Sequence, residues 1–471
     1  MVGREYEKDI IDRCLNSNRA EFLVVYGRRR VGKTYLIKEY FHEMFSFYAT
    51  GIYNNSTKDQ LKRFNQSLIR YGYEGKNRPK DWYEAFDRLE ELLESDKVYR
   101  DSYSGKRVIF LDELPWMDTA KSGFRSALDS FWNSYASGKK DILLIGCGSA
   151  TSWIINNLLK DKGGFYNRVT MRIHLNPFTL KECEEYFKVN NIDLPRDQII
   201  ETYMVFGGIP FYLNMYDKRY SLAQNIDSLL FNPNGQLYYE YENLLSSLFK
   251  NHQVHASIIE VLSRKRNGMT RGEIAENAFP GKGKTLTKAL SELEQCGFIR
   301  KYNDYTTRKY GSIYQIIDPF MSFSIRFLKD REHESWLNYI DTPSYYSWMG
   351  LSFEQVCLLH TDQIKRKLGI SGVESSQYAF KSKTSDPGAQ IDLLIDRKDN
   401  VINICEDKFT KKPFEVDKEY YDNLINKKET FIKETKCRKA VRMTLVSASG
   451  LHNNAYSGIF TNVVNGDDLF E

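Results

Sequence analysis

A short apolar run, FLVVY at 22–26, passes directly into GRRRVGKT at 27–34, and the helical pattern YLIKEYF follows at 35–41. The middle segment fits G-x-x-x-x-G-K-[ST] between a strand and a helix, and that context constrains the fold more than any other feature of the chain. Glycines at the fixed positions let backbone N–H groups turn inward around a triphosphate, and the helix that follows adds the positive end of its dipole. Gly27, Arg28, Arg29, Arg30, Val31, Gly32, Lys33 and Thr34, with Tyr35 behind them, are the candidate nucleotide-binding residues. In this arrangement Lys33 reaches the β and γ phosphates, and the Thr34 hydroxyl holds Mg2+.

A second apolar strand pattern, IFLDE at 109–113, ends in two acids. Asp112 would hold the Mg2+ through water, and Glu113 would orient the attacking water. A third such strand, DILLIGCGS, lies at 141–149. Short apolar strands separated by helical stretches imply a parallel sheet covered on both faces, hence an α/β core over 1–180, with a mostly helical lid over 181–250.

The 471 residues suit about three domains at roughly 100–200 residues each. A hydrophobic content of 41% with 27% charged residues excludes global disorder. Apolar runs such as FLVVY and DILLIG are far short of the roughly 20 residues a membrane-spanning helix needs, so no membrane partner is expected. The N-terminal MVGREYEKDIIDR alternates charged and apolar residues, unlike a secretory leader. Seven scattered cysteines without a C-x-x-C pair argue against a disulfide framework or a zinc site, and together these features predict a cytoplasmic protein.

The segments VGREYEKDI, GRRRVGKT, IFLDELPWM, LLIGCGSA, YNRVTMRIHLNPFTLKECEEYF and GGIPFYL occur in one order, and together they resemble the archaeal-type P-loop ATPases of the AAA+/STAND group over residues 1–330. The resemblance implies ATP and Mg2+ as cofactors. It places Gly3 and Arg4 in an N-terminal box beside the nucleotide, Ser149 at the sensor-1 position and Pro210 near the base. It also sets Arg168 where a finger-like arginine would act on a neighbouring copy, which implies a homo-oligomer; pairing with a local carboxylate is the alternative for this side chain. No sensor-2 arginine is evident after GGIP, which leaves open rapid hydrolysis or a slow nucleotide switch.

Residues 251–318 read as three amphipathic helices followed by two polar-aromatic strands, the order of a winged helix-turn-helix. The window 251–310 holds eleven Lys and Arg against six Asp and Glu, a net +5 that equals the surplus of the whole chain, 67 against 62. Lys282, Lys284, Thr285 and Lys288 gather at the start of the third helix, and Arg300, Lys301, Arg308 and Lys309 flank the wing. This placement suits phosphate contacts on DNA, while packing or binding of a partner protein is the competing role. His252 and His255 read as surface positions at a helix start rather than ligands.

After a linker at 319–345, residues 346–471 return to an α/β pattern. GAQIDLLIDRKDNVINICEDKF at 388–409 sets Asp392 in one strand and Glu406 with Lys408 in the next, with Asp396 and Asp399 read as turn residues. Strand alternation puts Glu406 and Lys408 on one face and Asp407 on the other. Asp392 and Glu406 could share a divalent cation, with Lys408 acting on the attacking water. This segment resembles the PD-(D/E)XK nuclease fold, a DUF234-like domain, in which Glu354 on the preceding helix would supply a further acid. The expected architecture is thus a P-loop NTPase parallel sheet with a helical lid, a winged helix-turn-helix and a C-terminal α/β restriction-endonuclease-like domain. Three functions remain open: ATP-dependent DNA processing with metal-dependent cleavage, a nucleotide-controlled signalling switch with a non-catalytic C-terminal domain, and DNA-binding regulation without cleavage.

Overall fold

The computed structural model describes residues 1–160, 167–249, 251–265, 267–278, 283–307, 312–329, 335–382, 384–385 and 387–471. The chain divides into two units, Met1–Pro177 and Phe178–Glu471.

In the first unit, β1 (Glu21–Tyr26), β2 (Phe47–Thr50), β3 (Arg107–Asp112), β4 (Ile142–Gly148) and β5 (Met171–His174) form one parallel sheet in the order β2-β3-β4-β1-β5. Every residue of β3 and β4 is buried, as the unbroken apolar runs require of a sheet covered on both faces. The helix Trp82–Leu93 starts at Asp81, whose side chain accepts from the Glu84 N–H, and it buries Trp82, Ala85, Phe86, Leu89, Leu92 and Leu93, a helical stripe. That stripe joins Phe22, Phe47, Phe64, Phe124 and Phe131 in one core. Each such ring contributes about 1.5–3 kcal/mol by leaving water.

The second unit begins with the helix Leu180–Val189, closed by a capping box between Thr179 and Glu182. The helix Arg196–Phe206 stops at Gly207, and Gly208 follows with φ +64°, where a Cβ would lie 2.3 Å from the Phe178 carbonyl oxygen. Further on come the helix His252–Ser263, β6 (Met269–Thr270), the helices Arg271–Asn277 and Lys284–Gln295, β7 (Ile299–Asn303) and β8 (Ser312–Ile316). These three strands form an antiparallel sheet in the order β6-β8-β7. His255 is buried, in contrast to the expected surface position, because it stacks on Phe249 and bridges to Glu292 at 2.9 Å.

The segment read as a linker is instead packed. Phe323, Phe327, Trp336 and Tyr339 lie edge to face with one another and with Trp348 of the helix Pro343–Leu359. Beyond that helix, β9 (Ser375–Lys381), β10 (Gln390–Arg397), β11 (Val401–Lys408), β12 (Ala440–Ser447) and β13 (Phe460–Asn465) form a mixed sheet in the order β13-β12-β11-β10-β9. The helix Lys418–Thr435 connects β11 to β12, which run parallel. Asp396 is not a turn residue: it is buried in β10 and pairs with Lys439 at 2.6 Å, while Asp399 does occupy the turn.

The 252–318 segment is stitched to this sheet. Tyr305 enters its core 5.0 Å from Phe431, the Lys381 N–H donates to Asp304 at 3.1 Å, and Gln390 Nε2 donates to Asn267 Oδ1 at 2.6 Å. His360, at the end of the Pro343–Leu359 helix, accepts from the Leu180 N–H at 3.0 Å and so caps the first helix of the unit.

Candidate functional site

The ends of β1, β4 and β3 lie side by side because β4 is inserted between the other two strands. The loop after β1 turns at Gly27, where a Cβ would meet the Leu175 carbonyl oxygen at 2.3 Å, so no larger residue fits. Gly32 has open space around it, but its φ of +90° is left-handed, and Arg30 also adopts φ +73°. Lys33 Nζ donates to the carbonyls of Gly27 at 3.0 Å and Arg28 at 2.8 Å, which holds the loop closed around its own lysine. From the N-terminal segment, buried Arg4 donates to the Val31 carbonyl at 3.4 Å and braces the loop from behind; Gly3 precedes it with φ +59°. Arg28 and Val31 are buried, Arg29 is half-buried and Tyr35 is exposed.

Across the sheet, the Thr34 hydroxyl lies 3.0 Å from Asp112 Oδ2. Burial drives the Asp112 carboxyl above the usual carboxylate range, against hydrogen bonds from Thr34 and from the Cys147 thiol and the charge of Lys33. Glu113 sits one residue further in a left-handed conformation, φ +50°. The Ser149 N–H and hydroxyl both donate to its Oε2, at 3.0 and 2.9 Å. Burial, and after it the Asp112 charge, raises the Glu113 carboxyl as well. Two further groups had no motif to announce them. Cys147, two residues before Ser149, supplies its thiol to Asp112, and His174 stacks on Tyr26 at 5.0 Å and is held below the ordinary histidine range by burial and Lys33.

These residues fit a Mg2+-bound nucleoside triphosphate. The loop glycines give a backbone cradle, Lys33 has donors that now rest on loop carbonyls, and Thr34 and Asp112 supply a hard oxygen pair for the cation. Arg168 is exposed in the turn before β5. Pro210 opens the short helix Pro210–Leu213 of the second unit.

On the Lys284–Gln295 helix, Lys284, Thr285 and Lys288 are exposed, as is Lys301 on β7. Arg300, expected beside a DNA surface, turns inward: its Nε donates to Gln315 at 2.7 Å, its guanidinium lies 4.4 Å over Tyr302, and the charges of Asp392 and Asp407 act on it. The cause is the docking of β7 against the C-terminal sheet. Lys282, Arg308 and Lys309 lie outside the described residues.

Glu406 and Lys408 do share a face of β11, 3.2 Å apart. Lys427 pairs with the other Glu406 oxygen at 2.8 Å, and the Tyr420 hydroxyl donates to Glu406 from the same helix. Burial works to raise the Glu406 carboxyl, but Lys427, Lys408 and Tyr420 hold it below the usual range. Asp392 has different partners. Gln390 Nε2 donates to it at 2.8 Å, and its charge acts on Asp407 and Arg300. An irregularity in β10 sends both Ile391 and Leu394 into the core with Ile402 and Ile404, so alternation along the strand does not give the face of Asp392. Burial, with Glu406 and Asp392 near, pushes Asp407 up to about 8. Glu354 and Asp392 line one cavity. Among the described residues no group of three or more His, Cys, Asp or Glu is arranged to hold a metal ion, and no helix is long and apolar enough to cross a membrane.

Residues 1–216 match a family described as an ATPase domain predominantly from Archaea. An uncharacterized protein of Methanocaldococcus jannaschii is 25% identical over 367 residues, 75% of this chain and 76% of that protein. Among solved structures, the Walker-type ATPase of Pyrococcus abyssi is 17% identical with a TM-score of 0.49, covering 69% of this chain and 96% of that one. The ORC2 protein of Aeropyrum pernix, solved in ADPNP and ADP complexes, is 14% identical with a TM-score of 0.41, covering 69% and 93%. The N-terminal part of the chain is thus an archaeal-type ATPase domain.

Proposed function

We propose that the protein binds and hydrolyses ATP with Mg2+, and that nucleotide state controls DNA binding by a winged helix in the second unit, without metal-dependent cleavage. The observation that carries the ATPase reading is the meeting of Lys33, Thr34, Asp112, Glu113 and Ser149 at adjacent strand ends. When bound, Mg2+ supplies charge neutralisation on the phosphates. Thr34 and Asp112 would hold the cation, Lys33 would exchange loop carbonyls for phosphate oxygens, and Glu113, gripped by Ser149, would orient a water molecule. Lys33→Ala should abolish ATP turnover and weaken nucleotide binding by at least about 100-fold with circular dichroism unchanged; wild-type turnover in that variant rules this site out. Exposed Arg168 suits a finger reaching a second copy, worth roughly 10³–10⁵ in rate, so turnover per chain should rise with protein concentration and fall in Arg168→Ala.

DNA contact is supported by the exposed Lys284, Thr285 and Lys288 on one helix. The non-cleaving reading is favoured by the internal cations: Lys408 and Lys427 serve Glu406, and Arg300 faces Asp392 and Asp407. Plasmid DNA incubated with the protein, ATP and Mg2+ or Mn2+ should stay intact. Nicking that disappears in Asp392→Ala and Lys408→Ala would restore the nuclease reading.

A further inference from the structure

A cavity of about 290 Å³ in the second unit has one face of the Pro343–Leu359 helix as a wall, with Trp348, Leu351, Ser352, Gln355 and Leu358 recurring at helical spacing. Three polar atoms of that wall have no hydrogen-bond partner: Trp348 Nε1, Ser352 Oγ and Gln355 Oε1. Trp348 is only 4% exposed and Ser352 1%. Buried polar atoms are nearly always paired, so three on one wall mark a place where something outside the fold supplies the partners.

The wall is rigid. The Trp348 ring is clamped by Phe323 at 5.4 Å, Phe327 at 5.6 Å and Trp336 at 5.4 Å, which fixes its N–H as a donor. The Gln355 amide nitrogen donates to Ser322 at 2.7 Å and to the Ile316 carbonyl at 3.2 Å, which turns its oxygen into a fixed acceptor. Arg264, Lys265 and Arg326 bring cations to the lining, and Glu354 and Asp392 bring further acceptors. The volume lies at the lower edge of small-molecule sites, roughly 300–1,000 Å³, and corresponds to roughly nine or ten waters.

A flat ligand with a donor and an acceptor on one edge and an anionic group elsewhere matches this set. We propose that the cavity is a nucleotide subsite that takes one nucleoside 5′-monophosphate unit, either free or at the end of a DNA strand. The base edge meets Trp348, Ser352 and Gln355, and the phosphate meets Arg264, Lys265 and Arg326. The surplus of acceptors selects bases with an exocyclic amino group. This assignment rests on neither the DNA-binding helix nor cleavage.

The test is equilibrium dialysis of the full chain, with excess ADP and Mg2+ occupying the N-terminal nucleotide site, against labelled dAMP, dTMP and an oligo-dA hexamer with or without a 5′-phosphate. Saturable dAMP binding is expected, with dTMP weaker. Trp348→Phe, which keeps the ring and loses the N–H, should weaken it roughly 5- to 10-fold at an unchanged melting temperature, and Ser352→Leu should abolish it by filling the cavity. Arg326→Gln, at the cationic side, should weaken binding as well and serves if Ser352→Leu does not fold. Tighter binding of the phosphorylated hexamer than of dAMP, lost in Trp348→Phe, assigns the strand end; dAMP binding alone assigns the free nucleotide. No saturable binding of either ligand, or binding that is the same in Trp348→Phe and Arg326→Gln, overturns the proposal.

Discussion

The Ser149 hydroxyl and backbone N–H converge on a single carboxylate oxygen of Glu113, at 2.9 and 3.0 Å. They meet because β4 lies between β1 and β3, so the residue after one strand faces the acid after its neighbour. Ser149→Ala should therefore lower kcat for ATP roughly 10- to 100-fold while the affinity for ATP stays within about threefold, since a positioning contact is lost and no phosphate contact. Ser149→Thr, which keeps the hydroxyl, should recover most of the rate. Steady-state ATPase assays with an independent binding measurement separate the two effects.

DNA affinity should depend on the exposed helix and not on the inward arginine. Lys284→Glu combined with Lys288→Glu should lower affinity at least about tenfold and reduce the log-log salt slope by about 2, one for each lost phosphate contact. Arg300→Ala should leave the salt slope unchanged and lower thermal stability, because its guanidinium serves Gln315, Tyr302 and the C-terminal acids. Gel shifts over a salt series check both, and a reduced slope in Arg300→Ala would put that residue on the DNA.

His360 carries a pH dependence of stability. Burial lowers its imidazole to about 4, with Nε2 accepting from Leu180 and Nδ1 donating to the Val356 carbonyl at 2.8 Å. The unfolded chain takes up this proton near 6.5 and the folded chain only near 4. The contribution is thus complete above about pH 6.5 and is lost as pH falls towards 4, at ~1.4 kcal/mol per pH unit. In His360→Gln that share of the slope should vanish in urea unfolding at pH 5, 6 and 7.5.

Asp407 acts with the opposite sign. Its carboxyl, raised to about 8, keeps its proton in the folded chain where the unfolded chain has lost it, so its contribution falls as pH rises from about 4 to 8. Between pH 4 and 6.5 it offsets His360, and above 6.5 it alone tilts the curve. Asp407→Asn, similar in shape and uncharged, should be more stable than the wild type at pH 7.5 by roughly 3 kcal/mol or more, with the gain shrinking as pH falls. An equal or lower stability at pH 7.5 would show that the native site favours the charged form.

The nucleotide site was legible in the chain because its parts are local. Gly27, Gly32, Lys33 and Thr34 stand within eight residues, and the strand before them and the helix after them are set by apolar patterning. Asp112 and Glu113 were equally visible as acids closing a buried strand. The grip of Ser149 on Glu113, by contrast, follows from strand order, and Cys147 and His174 reached the site through the same sheet with no spacing to reveal them.

The C-terminal acids show the other limit. Strand alternation correctly put Glu406 beside Lys408, since a period of two needs only the local backbone. The side of Asp392 depended on an irregularity in β10, and the partners of Glu406 came from a helix that ends its packing there, through Tyr420 and Lys427. Arg300 likewise read as a surface cation until β7 docked and buried it. The sequence by itself thus determined the elements, the phosphate-binding loop and the strand faces, because each follows from neighbours within a few residues. Which charges meet was decided only by tertiary structure, because the partners that neutralise a buried carboxylate come from distant segments that approach only when the core closes.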